Sequence, residues 1–441
     1  MTQKRPESGD NLLLKRIVRH SPKVVEFITI LNLVFTKPQY RHVVNITDAL
    51  IVSQHQHKTL SQLYRLILDA PDATNAADCY RISAWEAESV SKAMREFVVS
   101  ELLAHGKKRG AKRLYVKLDD SLTKKDTHTK QIEGVTFHYD HNHSTRKTAR
   151  YANGIVHVEV SLEMGEQSYF YGFELYVPQK AVRRLNRQRK KKGRTRIPFK
   201  TKYKLARRIF ADLQARLPAW VEVFVLFDSW YASNNLLKFC RRQGWHVICA
   251  LKSNRLLNGI RVSTWNQRLK HKRYTRVQPT ATDRRKQPYL VRTLKGRLKN
   301  VPFDVCVLIS KRHRGDKHPK YFLCTDTSLD AQTILDLYRK RWPIEVENFY
   351  LKQFLGLGDF RLRTFEAVQK WYATVYLALL YLQWRFNQRH TQPSDGVIIK
   401  TLPDVIRLHR LEHDKQLLFA ACSMALDAGA VDPVLARFAP P

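Results

Sequence analysis

The chain has 441 residues, with 78 lysines and arginines against 39 acidic residues, a formal net charge of +39 and a pI near 10.1. No run of about 18 apolar residues occurs, which excludes an ordinary transmembrane helix; a hydrophobic share of 44% can still build roughly two or three domains. So large a cationic excess opposes a compact state unless a polyanion neutralises it, so nucleic acid is the expected partner and a membrane surface is not.

The first residues, MTQKRPESGDNLLLKRIVRH, lack the apolar core of a signal peptide. Cys79, Cys240, Cys249, Cys306, Cys324 and Cys422 are scattered, with no C-x-x-C pair. They read as reduced thiols of a cytosolic protein, not as a disulfide frame or a zinc site.

Residues 1–105 read as helical. Residues 24–35 are strongly apolar, and 45–54 and 60–68 carry apolar side chains at helical spacing. A further helix is expected over 84–103, with Ser83 as N-cap and Glu86 completing a capping box. Such a domain suits recognition of DNA ends; packing or dimerisation is the alternative. From residue 112 the period changes, and KRLYVKL alternates like a strand before Asp119-Asp120-Ser121. Residues 154–162 and 168–177 read as two antiparallel strands. His138, His141 and His143, in FHYDHNH, read as a polar loop rather than a metal site.

The most basic segment is 182–208, where Phe199 and Tyr203 are interleaved with arginine and lysine. A solvated loop is the bland reading; contact with phosphates is the functional one. A helix is expected over 203–217. Next, VEVFVLF is the best buried strand in the chain and ends at Asp228. A helix over 234–243, closed by Gly244, and the strand WHVICAL complete a strand–helix–strand unit. Residues at the C-terminal ends of such strands commonly bind ligands. Strands are expected at 289–294, 301–310 and 320–325, and a long core helix at 367–386.

Residues 336–352, DLYRKRWPIEVENFYLK, contain Tyr338, Arg341, Glu345 and Lys352. At about 100° per residue they fall at roughly 0°, 300°, 340° and 320°, one narrow helical arc. Leu337, Ile344 and Leu351 form the arc for burial. Pro343 cannot sit inside a helix without a kink, so a break near Trp342 is expected, with Pro343 opening a new segment. The chain thus offers aspartate at two strand ends and glutamate on a helix. Two-metal phosphoryl chemistry needs such a set, with oxygen ligands holding two Mg²⁺ about 3.5–4 Å apart.

These motifs resemble those of the DDE transposases of bacterial insertion sequences, in the branch with a Y-x2-R-x3-E-x6-K signature. LDDSLTKKD matches the first motif, VLFDSWYASNNLLKF followed by ALKSN the second, and LYRKRWPIEVENFYLK the third. The resemblance spans roughly residues 50–390. It implies an α/β fold, a ribonuclease H-like mixed sheet flanked by helices and interrupted by a β-rich insertion, with a helical N-terminal domain and a helical C-terminal tail. The corresponding divisions are 1–105, 106–255, 256–328, 329–390 and 391–441.

The resemblance implies Asp119, Asp228 and Glu345 as catalytic metal ligands for two Mg²⁺ ions, with Mn²⁺ able to substitute. Asp120 is the alternative first carboxylate; Asp119 is preferred because Ser121 completes D-x-[ST]. Tyr338, Arg341 and Lys352 would hold DNA phosphates, and Trp230 and Trp342 would be core or structural residues. Trp265 is the candidate for stacking on a flipped base. The implied protein is a homodimer that binds double-stranded DNA, both element ends and target, in the bacterial cytoplasm and at the nucleoid when bound. A nuclease of the same fold and an inactive DNA-binding descendant are the rival readings.

Overall fold

The computed structural model describes residues 15–140, 143–145, 148–269, 271–279, 287–389 and 398–439. The chain divides into two compact units. Unit 1 comprises Met1–Phe97, Thr123–Gly154 and Phe349–Pro441; unit 2 comprises Val98–Leu122 and Ile155–Asn348.

In chain order the helices α1 (Pro22–Ile30), α2 (Lys37–Val52), α3 (Leu60–Tyr64), α4 (Ala73–Arg81) and α5 (Ala87–Arg109) come first. Then come β1 (Arg113–Lys124), β2 (Thr136–Tyr139), β3 (Tyr151–Met164), β4 (Gln167–Tyr176), α6 (Gln179–Lys191) and α7 (Lys202–Gln214). The strand–helix–strand unit is β5 (Glu222–Phe227), α8 (Asn234–Arg242) and β6 (His246–Ala250). It leads into β7 (Leu256–Leu257), β8 (Ile260–Arg261), α9 (Val262–Arg268), β9 (Thr275–Val277), β10 (Tyr289–Arg297), β11 (Asp304–Lys311) and β12 (Lys320–Cys324). The last elements are α10 (Ala331–Arg339), α11 (Pro343–Gln353), α12 (Phe365–Asn387), α13 (Leu402–Ala428) and α14 (Asp432–Phe438).

Unit 2 is a large mixed sheet with helices. Its strand order is β3-β1-β5-β6-β12-β11-β10-β9, with β4 paired to β3 over Val156–Met164. β1, β5 and β6 run parallel; β6, β12, β11, β10 and β9 pair antiparallel. The expected strands of residues 289–325 therefore extend the sheet that holds β5. A run such as Val223–Phe227, buried throughout, is what a central parallel strand needs, because both its faces are covered. Ser233 caps α8 by accepting from the Leu236 N–H, and Gly244 ends it at φ +74°, a conformation that costs other residues more. Phe224, Leu226, Ile248, Leu308 and Phe322 from the sheet meet Ile334 and Leu337 from α10 in one core.

Unit 1 is mainly helical. The expected core helix is α12, buried along nearly its whole length, and it packs on α2, α4 and α13. Tyr80 donates to Thr374 Oγ1 at 2.8 Å, and Phe27 lies 5.3 Å from Trp384 between ring centres. Each large apolar side chain buried this way contributes about 1.5–3 kcal/mol. β2 pairs with the first residues of β3, Tyr151–Gly154. Among the described residues no helix is long and apolar enough to cross a membrane.

Two local expectations fail. α5 begins at Ala87, and Ser83 instead accepts from the Gln39 side chain at 2.7 Å, so no capping box forms there. The 182–208 segment is not a loop throughout: α6 runs to Lys191 and buries Val182, Leu185 and Arg189. The chain then folds back, with Asn186 bonded to both the N–H and the carbonyl of Ile197.

Candidate active site

β1 and β5 set the site's geometry. Their parallel register pairs Val116 with Val225 and Lys117 with Leu226. Continued two residues further, it brings Asp119 level with Asp228, and in a parallel pair residues at one level point to one face of the sheet. Asp228 follows the last residue of β5, and its Oδ1 accepts from the backbone N–H of Trp230 at 2.9 Å and of Tyr231 at 3.4 Å. One oxygen thus closes a tight turn.

The break near Trp342 is present. α10 ends at Arg339 and α11 begins at Pro343. The corner is closed by bonds from the N–H of Lys340, Arg341 and Trp342 to carbonyls three residues back. The single helical arc read from the sequence is thereby divided. Tyr338 lies on α10, Arg341 in the corner, and Glu345 in the first turn of α11, where the helix dipole favours a carboxylate. Leu337, Ile344 and Leu351 are buried as expected.

Arg341 is the junction of the site. It bonds Asp119 Oδ2 at 3.2 Å and makes a second, short bond to Glu345 Oε1. Its side chain is only 12% exposed, so it is a largely buried cation. Two carboxylates on separate elements need a neutralising charge, and the corner places the guanidinium between them. Burial pushes the Asp119 carboxyl up to about 7, against the pull of Arg341 and with repulsion from Glu159 added. Burial also raises Asp228, while the two turn N–H groups oppose the shift.

Asp120 is held differently. Lys202 Nζ lies 2.6 Å from its Oδ2, and the buried Tyr231 hydroxyl donates to its Oδ1 at 2.9 Å. Both of its oxygens have fixed protein partners. Tyr338 is part-buried, its ring 4.9 Å from Phe322, and burial raises its hydroxyl to about 12. Lys352 lies in the last turn of α11, in the stretch of chain assigned to unit 1.

A second set of contacts fixes α11, and local sequence does not announce it. Asn348 donates to Glu159 on β3 through a short bond, and Ser161 to Glu347 through another. Lys117 lies 2.7 Å from Glu163, which also binds Lys340. Burial raises the Glu347 carboxyl to about 7. Removing one partner from such a buried network leaves an unpaired polar group, which costs more than the bond is worth. Glu347 faces inward two residues after Glu345, in W-P-I-E-V-E-N, a weak signal that spacing alone could have flagged.

The tryptophans depart from expectation. Trp230 and Trp342 are 41% and 63% exposed, so neither is a core residue. Lys202 and Lys252 flank the Trp230 ring at 5.6 and 5.2 Å from its centre. Trp265 donates its indole N–H to the Leu257 carbonyl at 3.0 Å. His143 bonds Asp140 at 3.0 Å in a polar loop, and His141 lies outside the described residues.

Unit 1 holds another group with the makings of a metal site, Asp48, His409 and His413, all buried. His409 and His413 direct Nε2 at Asp48 Oδ1 from 2.7 and 2.9 Å, and the Ser21 N–H donates to Oδ2 at 3.0 Å. Tyr381 bonds His409 Nδ1 at 3.1 Å. Those are hydrogen-bond separations, shorter than the edge of a tetrahedral zinc shell with ligands about 2.0–2.2 Å from the ion.

Residues 200–381 match the family model of the transposase DDE domain. That range contains Asp228, Arg341 and Glu345 and begins after Asp119. A search of curated proteins found no match.

Proposed function

We propose that this chain, whose residues 200–381 carry a transposase DDE domain, is a DNA transposase acting through Asp119, Asp228 and Glu345. The observation that supports it most is the Arg341 bridge between Asp119 and Glu345, with Asp228 level with Asp119 across β1 and β5. The donors are all hard oxygens, and burial holds the Asp119 carboxyl up at about 7 even beside Arg341. Both features fit divalent Mg²⁺, which when bound would polarise the scissile phosphate and activate the attacking oxygen.

The chain's own residues have the remaining tasks. Asp119, Asp228 and Glu345 would be the ligands. Asp120, which lies within β1 and is tied to Lys202 and Tyr231, would hold that stretch of the strand in place rather than bind the ion. Arg341, in the corner before α11, and Lys352, in the last turn of α11, would hold DNA phosphates. Tyr338 would act mainly by packing beside Arg341, whose guanidinium lies 5.9 Å from its ring centre. The sheet of unit 2 would be the ribonuclease H-like core, with residues 256–328 as its insertion. A net charge of +39 suits a protein that contacts many phosphates, and a homodimer would hold two element ends together.

The test is incubation with Mg²⁺, duplex DNA carrying the element's own ends, and a target plasmid. Joined products, with a 3′ end of the element linked to the target, are the expected result. Cleavage without joining would make the chain a nuclease; neither reaction, with DNA still bound, would make it a binding protein.

A further inference from the structure

Unit 1 contains a cavity of about 650 Å³ whose walls come from three separate stretches, around residues 57–59, 124–132 and 358–363. We propose that it is a second nucleic-acid site, which takes the phosphodiester backbone of a DNA strand. The proposal rests on the reading that this chain acts on DNA.

The wall at 358–363 is built by one lysine. Lys125 Nζ donates to the carbonyls of Gly358 and Phe360, the latter at 2.5 Å, and lies 3.6 Å over the Phe360 ring. It is thus committed to structure. The Glu133 N–H bonds the Arg363 carbonyl at 2.8 Å and secures the far end. Between these ties burial alternates residue by residue, the pattern of an extended segment. Phe360 and Leu362 are buried, whereas Arg361 and Arg363 are exposed on the opposite side. In such a segment Cα atoms two apart are about 6.6 Å apart, so Arg361 and Arg363 start from points spaced on the scale of one nucleotide of backbone.

The charge balance favours an anion. Lys130 and His128 line the same cavity. Its two acids are already engaged: Asp359 accepts from the Lys58 N–H at 2.9 Å, and Asp126 from the His128 N–H at 2.8 Å. Two arginines that can each grip a phosphate through two N–H groups, spaced along a straight wall, fit a strand better than a compact ion.

The deciding experiment uses the full chain and a fluorescent duplex carrying an element end, with anisotropy read across a salt series. The double variant Arg361→Ala/Arg363→Ala should lose about tenfold in affinity, and its log–log salt slope should flatten by about 0.9 for each phosphate no longer neutralised. Arg361→Lys/Arg363→Lys should recover the slope and part of the affinity. Wild-type melting in both variants is expected, since both side chains are exposed. Wild-type affinity and slope in the alanine variant would overturn this site while leaving the transposase reading intact. A wild-type chain that binds no DNA would overturn both. Inorganic pyrophosphate that binds wild type without competing with DNA would assign the cavity to a small anion and overturn the proposal.

Discussion

Two places in this molecule gather carboxylates with partners in the way metal sites do, and they differ in what satisfies them. Around Asp48 in unit 1 both carboxylate oxygens have hydrogen-bond partners, His409 and His413 on one and the Ser21 N–H on the other. Burial alone would raise Asp48, yet bonds from His20, His409 and His413 hold it well below the usual carboxylate range. Around Asp119 in unit 2 burial prevails, and the carboxyl rises to about 7 although Arg341 is beside it. The first carboxylate is stabilised as an anion by its protein. The second is not, and that shortfall is what a divalent ion would correct. Ligand type and proximity therefore do not by themselves identify a metal site.

The comparison breaks most visibly in activity. Asp228→Asn and Glu345→Gln should lower Mg²⁺-dependent strand cleavage below about a hundredth of wild type while DNA affinity is nearly unchanged. Asp48→Asn should leave cleavage per folded molecule intact. Substantial cleavage by either unit 2 variant in a gel assay would remove that residue from the site.

The next effect is on stability. Asp48→Ala strips the carboxylate from two fully buried histidines and should cost about 3–5 kcal/mol in urea unfolding. Full stability in that variant would mean that the bonds around Asp48 contribute little.

Arg341 sharpens the contrast from the other side. Arg341→Ala leaves Asp119 and Glu345 without their cation, so cleavage should fall at least about tenfold, and melting should drop in metal-free buffer. Mg²⁺ should then raise the melting temperature of this variant more than that of wild type. Arg341→Lys should rescue only part, because one ammonium cannot serve both carboxylates as a guanidinium fork does. A variant whose melting ignores Mg²⁺ would separate Arg341 from the ion site.

The smallest effect is in pH dependence, where the two carboxylates have opposite signs. Asp119 is raised from 3.8 to about 7, so the folded form keeps a proton that the unfolded chain has released. Its contribution to stability falls as pH climbs from about 4 to about 7. Asp48 is depressed, so its contribution is present above about 4 and lost as pH falls toward its folded value. In metal-free buffer Asp119→Asn should flatten the decline between pH 4 and 7, and Asp48→Asn should flatten the loss in acid. Parallel curves for Asp119→Asn and wild type would refute the shift.

Much of unit 2 was legible because its signals are local. Unbroken apolar runs give β5 and β6, Gly244 marks the end of α8, and Pro343 forces the corner. Tyr338, Arg341 and Glu345 stood out by spacing. Their partners did not, because Arg341 meets Asp119 across 222 positions of sequence, and periodicity carries nothing over that distance. The tryptophans misled for a related reason: an indole next to Asp228 looks like core until the turn around that aspartate directs it outward. The basic segment misled in reverse, since Arg189 is buried and gives its Nε–H to the Thr195 carbonyl at 2.6 Å. Nothing near Asp48 announces His409, 361 residues away.

The segmented build of unit 1 has a consequence for how the protein is made. α2 packs against α1, α3 and α4 nearby in sequence, but also against α12 and α13, so part of its buried face finds its partners only in the last fifth or so of the chain. A ribosome adding roughly 5–20 residues per second takes tens of seconds to travel from one to the other. All of unit 2 emerges in the interval. Throughout it the N-terminal helices wait with part of their apolar surface uncovered, and a message cut short before α12 would yield a chain with the candidate carboxylates present but without the helices that α2 and α4 pack on.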